Sequence, residues 1–516
     1  MSIQSLNFNI SLKDVLPGAV FLNCEDIVVR SASSDSRSIQ SGDLYVAIRG
    51  RQFDGHRFIH EAASLGASGL LLEVAVPNVR IPQCLVRDTR QAWSRLTLAL
   101  KGNPERHLLF AGITGTNGKT TTAWILRSIL QASQLRTGLL GTVEYHDSVR
   151  REPATLTTPD SATTAEWLQR MRESGASHCV MEISSHALDQ SRCCGIPLSV
   201  AAITNVTHDH FDYHGTYDSY LQSKMRIHEM LIPGAPLLLN ANDRSTGLIK
   251  SRLNNRQRII TFGESAADDV HFVLRENVLI LHLLRGTLET EMQLFGQHNA
   301  MNCLVAAAMA EELGVTPECI ACGINHLEFV PGRLQSIESG QPFRVFVDFA
   351  HTPDGLAQCI LTVRSLTKGR VILVFGAGGD RDRGKRPAMA QASASADVVI
   401  VTSDNPRAED PDQIIADVLN GFADFPPEKR NPGHSETMVK SLTDRRVAIE
   451  AAIEMAEPED SVIIAGRGHE PFQQWGHKLL KFDDSAVALE ILQSKFHGKQ
   501  PSDVCISGSP EKLHDA

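Results

Sequence analysis

Residues 107–130 (HLLFAGITGTNGKTTTAWILRSIL) constrain the fold more than any other stretch of the chain. The apolar run at 108–113 predicts a buried strand, and the apolar spacing across 119–130 predicts a helix. Between them, the glycine-containing segment 115–118 cannot continue the strand and turns the chain. A strand, a glycine turn and a helix in this order aim several backbone N–H groups and a helix N-terminus at one point, which suits a phosphate.

This turn predicts a site for the phosphates of ATP. Lys119 would reach the β- and γ-phosphates, and the Thr120 hydroxyl could hold Mg²⁺. The strict pattern G-x-x-x-x-G-K-[ST] is not matched, because Ile113 stands where its first glycine should be. The alternative is an ordinary glycine-rich loop, although Lys-Thr follows the last glycine at the predicted helix start. The predicted phosphate-binding residues are Gly115, Thr116, Asn117, Gly118, Lys119, Thr120 and Thr121.

Length and composition limit the class of protein. A chain of 516 residues has room for about three domains. Its formal net charge of −10 gives no support to nucleic-acid binding. We see no signal peptide and no apolar run long enough to span a bilayer, so we expect no membrane insertion. Ten scattered cysteines fit a reducing cytoplasm, and the lone CxxC at Cys319 and Cys322 favours a packed helix over a metal or redox site.

The pattern of strands and helices predicts an α/β fold with a second open sheet after a boundary near Pro331-Gly332-Arg333. In that sheet, strands are predicted at 343–349, 371–375, 398–402 and 462–465. A dinucleotide-binding fingerprint at Gly376 fails, because its third glycine should fall at Arg381. We therefore expect an N-terminal domain over 1–105, a central domain over 106–336, a C-terminal domain over 337–496 and a disordered tail over 497–516.

Chemically capable side chains follow the predicted strand ends, where ligands bind in open α/β sheets. Glu182 follows one strand and His210 follows another, and both are plausible ligands for a divalent cation. Three histidines within seven residues (208, 210 and 214) could instead suggest zinc, but the phosphate loop makes Mg-nucleotide the simpler occupant. Asn299 could pair with a base edge or could cap a helix. In the second sheet the corresponding residues are Asp348, His351, Arg381, Asp404, Asn405, Pro406, Arg407, Gly466 and Glu470.

Eight short motifs occur in a fixed order along the chain: TGTNGKTT, MEISSHAL, NVTHDHFDYHG, the Ser223-Lys224 segment, GQHNAMN, PGR, VDFAHTPD and DNPR. With this order, the chain resembles the Mur ligases of bacterial cell-wall synthesis up to about residue 490. The resemblance implies three domains: one for the UDP end of the substrate, a central P-loop-type ATPase domain and a C-terminal Rossmann-like domain. It also implies an ATP-dependent ligase with Mg²⁺ as its metal.

The resemblance assigns roles to individual residues. Lys119, Glu182, His210 and Lys224 would be catalytic, and Lys224 would carry a carbamate that holds Mg²⁺ together with Thr120, Glu182 and His210. Asn299, Arg333 and Asp348 would contact ATP. The UDP-muramoyl dipeptide would contact Ser34, Ser36, Arg51, Gln52, Phe53, Thr157, Thr158, Ser184, Gln190 and Arg192. Arg381, Asp404, Asn405, Pro406, Arg407, Gly466 and Glu470 would bind the incoming amino acid.

DNPR is typical of the members that add meso-2,6-diaminopimelate to UDP-N-acetylmuramoyl-L-alanyl-D-glutamate, so these two compounds and ATP are the implied substrates. Two departures from the family pattern concern substrate contacts: Leu156 stands where Asn is frequent, and the Arg51–Phe53 turn is unusual. We expect a cytoplasmic monomer. The alternatives are a folylpolyglutamate synthase and a nucleotide-binding switch or transport ATPase without ligation. The N-terminal domain and DNPR argue against the former, and the second α/β domain argues against the latter.

Overall fold

The computed structural model describes residues 9–50, 53–207, 209–253, 257–423 and 437–496. The predicted tail and two residues of the N-terminal turn, Arg51 and Gln52, lie outside these ranges. The chain divides into two compact units, Met1–Val330 and Pro331–Ala516. Both units contain parallel sheets with helices between the strands, so the predicted α/β class is confirmed.

The first part of unit 1 contains a small mixed sheet with strand order β2-β7-β6-β5-β4, in which only the β2–β7 pair is antiparallel. Alternate residues of its strands bury on opposite faces, as in Leu70 and Leu71. The strands are β1 (Ile10–Ser11), β2 (Val20–Leu22), β3 (Val28–Val29), β4 (Ala32–Ser33), β5 (Leu44–Val46), β6 (Gly69–Leu72) and β7 (Gln83–Leu85). The helices are α1 (Leu12–Val15), α2 (Ile59–Ser64) and α3 (Thr89–Leu100), with 3-10 turns at Ser36–Ser38, Gly55–Phe58 and Pro104–His107.

The rest of unit 1 is built on the predicted strand–turn–helix. Its strands are β8 (Leu109–Thr114), β9 (Thr137–Leu140), β10 (Glu144–His146), β11 (Arg151–Pro153), β12 (His178–Glu182), β13 (Leu198–Ile203), β14 (Leu237–Asn240), β15 (Ile259–Gly263), β16 (Val270–Arg275), β17 (Val278–Leu283) and β18 (Gly286–Glu291). Its helices are α4 (Lys119–Ala132), α5 (Ser161–Glu173), α6 (Ser185–Asp189), α7 (Phe211–His214), α8 (Tyr217–Met225), α9 (Ser245–Arg252), α10 (Gln297–Glu312) and α11 (Pro317–Asn325), with a 3-10 turn at Arg226–Met230. The CxxC lies in α11, so the predicted helix is confirmed.

Within the described residues, the central sheet has the strand order β11-β10-β9-β12-β8-β13-β14-β15-β16-β17-β18. The strands from β9 to β16 in this order run parallel, and both flanks are antiparallel. Helices α4, α10 and α11 pack on the face of the sheet that carries Ile113. Helices α5 and α8 pack on the opposite face, which carries Phe110. Burial on both faces explains why these strands are almost wholly apolar.

Unit 2 has one six-stranded sheet in the order β19-β20-β24-β21-β22-β23, parallel except for β19. Its strands are β19 (Gln335–Ser336), β20 (Arg344–Asp348), β21 (Val371–Phe375), β22 (Val398–Val401), β23 (Met438–Ser441) and β24 (Ser461–Ala465), followed by the hairpin β25 (Phe472–Trp475) and β26 (Lys478–Lys481). Its helices are α12 (Pro353–Leu366), α13 (Lys385–Ser393), α14 (Pro411–Ala423), α15 (Arg445–Met455) and α16 (Asp484–Phe496). The four strands predicted here are confirmed. Among the described residues of both units, no helix combines the length and hydrophobicity needed to cross a bilayer.

Candidate active site

The phosphate loop between β8 and α4 requires glycine at two positions. Gly115 has φ 150° and Gly118 has φ 85°, a region that other residues rarely adopt. A Cβ at Gly115 would lie 1.8 Å from Thr204 Oγ1, and one at Gly118 would lie 2.6 Å from Asn302 Oδ1. The loop therefore packs so closely against its neighbours that a side chain at either position would displace it.

The segment after β13 holds the loop in this conformation. Thr204 Oγ1 donates to the Asn117 carbonyl at 2.5 Å. Asn205 pairs with Asn117 twice, accepting from its N–H at 2.9 Å and donating to its carbonyl at 3.1 Å. The Thr116 N–H donates to the Asn205 carbonyl at 2.9 Å. Because β13 is the sheet neighbour of β8, this clamp fixes the loop from the adjacent strand end.

Two lysines converge on one carbonyl of the loop. Lys119 Nζ donates to the Gly115 and Thr116 carbonyls at 2.9 and 3.0 Å, and Lys224 Nζ donates to the same Gly115 carbonyl at 2.7 Å. Lys224 is only 1% exposed and its Nζ lies 4.5 Å from the Tyr220 ring centroid. Burial lowers the pKa of the Lys224 amine well below its usual range, and the Lys119 charge lowers it further. Lys224 is therefore a buried lysine and not an ordinary helix-surface residue.

Glu182 is a completely buried carboxylate at the end of β12. It accepts hydrogen bonds from Thr120 Oγ1 at 2.7 Å, from Thr142 Oγ1 at 2.8 Å and from the Thr142 N–H at 2.9 Å. A hydroxyl and a carboxylate in contact are hard oxygen ligands of the kind that suits Mg²⁺, which commonly takes one or two carboxylates plus water and phosphate oxygens. One histidine of the zinc alternative, His208, lies outside the described residues. Among the residues that the structure describes, no cluster of three or more His, Cys, Asp or Glu could hold a metal.

His210 lies at the start of α7, in the left-handed region with φ 55°. Its ring packs edge-on against His186 with centroids 4.9 Å apart, and its Nε2 lies 3.4 Å from Asp209 Oδ2. Partial desolvation lowers the pKa of His210 to about 4, and the charges of Lys224 and Lys119 act in the same direction. The imidazole is therefore neutral at pH 7 and carries a lone pair, as a metal ligand requires.

The residues predicted to bind the dipeptide form one hydrogen-bonded group. The Arg192 guanidinium donates to Gln190 Oε1 at 2.8 and 3.0 Å and to the Thr158 carbonyl at 3.0 Å. The Thr158 hydroxyl accepts from the Ser184 N–H at 2.9 Å, and Ser184 caps α6. Thr158, Gln190 and Arg192 are thus joined to Ser184 just after β12, and their contact with the dipeptide stays a prediction.

Thr142 is a residue of this site that the sequence analysis missed. Its hydroxyl donates both to Glu182 and, at 3.2 Å, to Thr157 Oγ1, so it connects the metal-ligand candidate with the dipeptide group. Thr142 follows β9, which is the sheet neighbour of β12. The rule that ligands bind beyond strand ends could have identified it, but only with the strand order known.

Ser34, Ser36 and Phe53 are the described residues of the predicted UDP site, and they lie beyond the ends of β4 and β5, two parallel neighbours. Ser34 directly follows β4, and the buried Ser36 hydroxyl donates to Glu61 Oε2 at 2.7 Å. Phe53 is 66% exposed in the loop after β5. An exposed aromatic ring next to polar turns is compatible with stacking on a base.

Asn299 lies in the first turn of α10, whose N-cap is Gly296. Its Nδ2 donates to the Phe295 carbonyl at 2.8 Å, and its Oδ1 accepts from Asn302 Nδ2 at 3.1 Å. Asn302 in turn accepts from the Thr122 hydroxyl of α4 at 3.3 Å. Asn299 is therefore not the N-cap and braces α10 against α4, and its contact with a base edge stays a prediction.

In unit 2, Arg333 and Asp348 flank the end of β20. The Arg333 guanidinium lies 4.7 Å from the Phe349 ring centroid. Asp348 accepts backbone N–H bonds from Leu334 and Ala350, both at 2.7 Å. Burial raises the pKa of Asp348, while the charge of Arg333 opposes that shift. The two residues form a charged pair at a strand end, which is the expected position for a ligand site.

Arg407 has an unusual backbone conformation for a non-glycine residue, with φ 52°. Its Nη1 donates to the Gly379 carbonyl at 2.6 Å, and its N–H donates to the Gln474 carbonyl at 3.1 Å. Burial lowers the pKa of Arg407, and the neighbouring charge of Arg381 lowers it further. The structure thus brings together the two arginines predicted to bind the amino acid.

Two carboxylates lie in the same region. Asn405 Nδ2 donates to Asp404 Oδ1 at 3.1 Å and to Glu470 Oε2 at 2.8 Å. A Cβ at Gly466, which has φ 115°, would lie 2.6 Å from Asp404 Oδ2. Burial raises the pKa of both carboxyls, and the charge of Asp404 adds to the shift of Glu470. Guanidinium and carboxylate groups side by side suit a ligand that carries both signs of charge.

A buried ion network beneath these carboxylates was also missed. Arg445 and Asp484 are both fully buried and 2.6 Å apart, and Arg467 Nη1 lies 3.5 Å from Asp484. Arg467 Nη2 also donates to the carbonyls of Glu470, at 3.3 Å, and Phe472, at 2.7 Å, and so fixes the loop after β24. No local pattern signals this network, since Arg445 and Asp484 are 39 positions apart.

Three family profiles match the chain in succession. "Mur ligase family, catalytic domain" matches residues 29–99, "Mur ligase middle domain" matches 113–310, and "Mur ligase, glutamate ligase domain" matches 332–468. The chain belongs to the Mur ligase family. The predicted three-domain architecture of a Mur ligase is thereby confirmed, while the domain boundaries at 105/106 and 336/337 stay predictions.

Similar proteins align with this Mur ligase over nearly its full length. The UDP-N-acetylmuramoyl-L-alanyl-D-glutamate–2,6-diaminopimelate ligase of Geobacillus kaustophilus is 39% identical, over 89% of this chain and 94% of its own. The ligase of the same name from Solibacter usitatus is 38% identical, over 90% of this chain and 94% of its own. A solved structure of an enzyme with this name is 28% identical, with a TM-score of 0.66, and covers 95% of this chain and 100% of its own.

Proposed function

We propose that this Mur ligase adds meso-2,6-diaminopimelate to the D-glutamate γ-carboxylate of UDP-N-acetylmuramoyl-L-alanyl-D-glutamate in peptidoglycan biosynthesis, with ATP as co-substrate. Relatives at 39% and 38% identity carry the name of this activity. The observation that carries the proposal is the paired charge set of Arg381 and Arg407 with Asp404 and Glu470. As a proposal, the enzyme acts in the cytoplasm as a monomer.

In this proposal the phosphate loop binds ATP. The loop N–H groups and the N-terminus of α4 contact the phosphates, and Lys119 moves from the loop carbonyls to the β- and γ-phosphates. Thr120, Glu182, His210 and carbamylated Lys224 would hold Mg²⁺, which would supply positive charge to stabilise the phosphates and the transition state. The further ATP contacts that the family resemblance implies are those of Asn299, Arg333 and Asp348.

The chemistry follows from the poor reactivity of a carboxylate, whose leaving group would be oxide. The γ-carboxylate oxygen attacks the γ-phosphorus of ATP, which releases ADP and gives an acyl phosphate. The amine of diaminopimelate then attacks the acyl carbon, loses a proton and, as the tetrahedral intermediate collapses, expels inorganic phosphate. Lys119 and the loop amides stabilise the charge that develops on the transferred group, which is where most help is expected.

The substrate-binding groups orient the γ-carboxylate that reacts. Arg192, Gln190, Thr157, Thr158 and Ser184 hold the dipeptide so that its γ-carboxylate faces the phosphate. The turns at Ser34, Ser36, Arg51, Gln52 and Phe53 hold the UDP end. Holding both reactants in a fixed geometry removes much of the entropic barrier of the second step.

Diaminopimelate differs from lysine by a carboxylate at its far end, next to an ammonium. Arg407 offers a planar fork for that carboxylate, and Arg381 assists it. Asp404 or Glu470 faces the ammonium, and Asn405, Pro406 and Gly466 complete the site. Lysine would leave the Arg407 fork unpaired, and such unpaired polar groups produce strong discrimination.

The carbamate at Lys224 is supported by its surroundings. A buried amine that shares the Gly115 carbonyl with Lys119 is disfavoured as an ammonium. The neutral amine can add CO₂ with loss of a proton and become an anionic carbamate. Its oxygens are hard ligands that suit Mg²⁺.

Phosphate release from ATP tests the proposal directly. We expect release only when the UDP-muramoyl dipeptide and diaminopimelate are both present, with one UDP-muramoyl tripeptide formed per phosphate. Turnover with neither substrate would indicate the ATPase alternative. Turnover with a folate and glutamate instead would indicate the folylpolyglutamate synthase alternative.

A further inference from the structure

The two arginines of the amino-acid site lie on different loops of unit 2. Arg381 belongs to the loop after β21, residues 376–384, here called the β21 loop. Arg407 belongs to the loop after β22, residues 402–410, here called the β22 loop. Strands β21 and β22 are parallel neighbours, so both loops leave the same edge of the sheet. The distance between the two guanidinium groups is therefore set by how these loops are fixed to each other.

The two loops are joined by direct hydrogen bonds. The Gly379 N–H donates to the Asn405 carbonyl at 2.9 Å, and the Ala408 N–H donates to Asp380 Oδ2 at 3.1 Å. The Arg407 side chain donates back to the Gly379 carbonyl at 2.6 Å. Each bond crosses from one loop to the other, so neither loop can move alone without breaking them.

Arg386 and Glu409 stabilise the contact between the β21 loop and the β22 loop. Arg386 lies on α13, is 0% exposed, and donates to the Gly378 carbonyl at 3.2 Å and to Glu409 at 2.9 and 3.1 Å. Glu409 lies on the β22 loop and accepts from the Asp380 N–H of the β21 loop at 2.6 Å. The Arg386 guanidinium holds the pKa of Glu409 down, at about 2. Asp417 Oδ2 accepts a further hydrogen bond from Arg386 Nη1 at 2.8 Å.

The backbone at the junction needs this support. Asp380 and Arg407, one on each loop, both have φ 52°, which is unfavourable for residues with a side chain. Such conformations persist only where surrounding contacts over-determine them. The two loops also approach each other closely, since a Cβ at Gly379 would lie 1.9 Å from the Pro406 carbonyl oxygen.

We propose that Arg386 and Glu409 are positioning residues that set the separation of the Arg381 and Arg407 guanidinium groups, and thereby the preference for an amino acid with a second carboxylate. This rests on the proposed function, because it takes diaminopimelate as the amino acid. Neither residue touches the substrate. Both act by holding the two loops at a spacing that matches a carboxylate between two arginines.

The test compares Arg386→Lys and Glu409→Gln with the wild type in steady-state assays of UDP-tripeptide formation. Lysine keeps the charge of Arg386 but cannot form its forked contacts, and glutamine keeps the shape of Glu409 without its charge. We expect the KM for meso-diaminopimelate to rise about tenfold to a hundredfold, the range expected when a binding group is misplaced by about 1 Å. The kcat and the KM values for ATP and the UDP-dipeptide should stay close to wild type, and the preference over L-lysine should fall.

Arg364→Lys is the matched control. Arg364 pairs with Asp397, which also accepts the Val371 N–H, so this Arg–carboxylate pair holds β21 and β22 at their opposite ends. The control variant should lose comparable thermal stability but leave the KM for diaminopimelate unchanged. Glu409→Asp gives a milder variant if Arg386→Lys fails to fold.

The outcomes separate this inference from the proposed function. If the wild type forms no product with diaminopimelate, the proposed function is wrong and the inference falls with it. If the wild type is selective, but Glu409→Gln and Glu409→Asp raise the KM for diaminopimelate no more than the control does, the inference alone is wrong. A rise in all three KM values together would also overturn it, because that indicates general loosening of the domain.

Discussion

The phosphate-loop region of unit 1 and the amino-acid region of unit 2 occupy the same place in their sheets but differ in their balance of positive and negative groups. Both lie at the carboxyl ends of parallel strands. In the first, two lysines converge on one loop carbonyl, and the buried carboxylate of Glu182 is bonded to threonine hydroxyl groups. In the second, Arg407 stands with Asp404 and Glu470 over a buried network of further arginines and an aspartate.

In the proposed function, this difference lets one sheet architecture serve two kinds of ligand. A surplus of cations beside a helix N-terminus suits polyanionic phosphate, for which the site must supply net positive charge. Closely balanced charges suit a zwitterion, for which each group needs a partner of the opposite sign. The comparison therefore predicts that losing a cation costs catalysis in the first region and substrate selection in the second.

The largest effect should come from Lys119→Ala, which removes the cation of the phosphate loop. We expect the variant to lose about 3 kcal/mol or more of transition-state stabilisation for ligation, while the protein stays folded. Product formation at saturating ATP, with a thermal melt as the folding control, measures this. Near-normal turnover would rule out a phosphate-binding role for this region.

Lys224→Ala should have the next largest effect, a loss of about 2 kcal/mol in transition-state stabilisation. Small carboxylic acids should restore part of the activity by replacing the carbamate, and Lys224→Arg should not, because guanidinium cannot carry CO₂. Lys250→Ala is the control, since Lys250 also lies in the last turn of a helix but is exposed. Wild-type turnover and Mg²⁺ dependence of Lys224→Ala in carbonate-depleted buffer would rule out the carbamate.

Arg407→Lys should show most clearly that the amino-acid region governs substrate selection and the phosphate-loop region governs catalysis. We expect the KM for diaminopimelate to rise roughly tenfold, equivalent to about 1.4 kcal/mol, with little change in the KM for ATP. A point charge replaces a planar fork, so the loss should fall on carboxylate recognition. Comparable kcat/KM for L-lysine and diaminopimelate in the wild type would refute the assignment itself.

Thr142→Val should have the smallest effect. It removes the hydroxyl that connects Glu182 and Thr157 but leaves the backbone N–H bond to Glu182 in place, so we expect a loss of about 1 kcal/mol in kcat/KM. Thr142→Ser keeps the hydroxyl and should behave like the wild type. Equal losses in both variants would mean that the methyl packing of Thr142 matters and its hydrogen bonds do not.

The sequence predicted the local pieces of this molecule well. The strand–turn–helix at 107–130 and strand β21 follow from hydrophobic spacing and from glycine, which act over a few residues. The ligand end of each sheet was also predictable, because parallel strands present their carboxyl ends together. The roles of the dipeptide and amino-acid residues depended on the family resemblance, although position after a strand end had already singled out the amino-acid residues.

What the sequence did not predict depends on strand order and long-range packing. Thr142 reaches Glu182 only because β12 lies between β9 and β8, which no local pattern specifies. Tyr220 reads as an ordinary helical aromatic residue, yet its ring lies beside Lys224 and its hydroxyl lies 3.1 Å from Thr116 Oγ1. The strained backbone of Arg407 is likewise imposed by contacts with residues distant in the sequence.

Oxygen transfer during a single turnover tests the central claim most directly. The γ-carboxylate of the D-glutamate would be labelled with ¹⁸O, and the released phosphate would be analysed by mass spectrometry. Ligation through an acyl phosphate predicts one ¹⁸O atom in each phosphate, with formation of the UDP-tripeptide, only when ATP and diaminopimelate are both present. Phosphate without the label, formed at the same rate without diaminopimelate, would contradict the account.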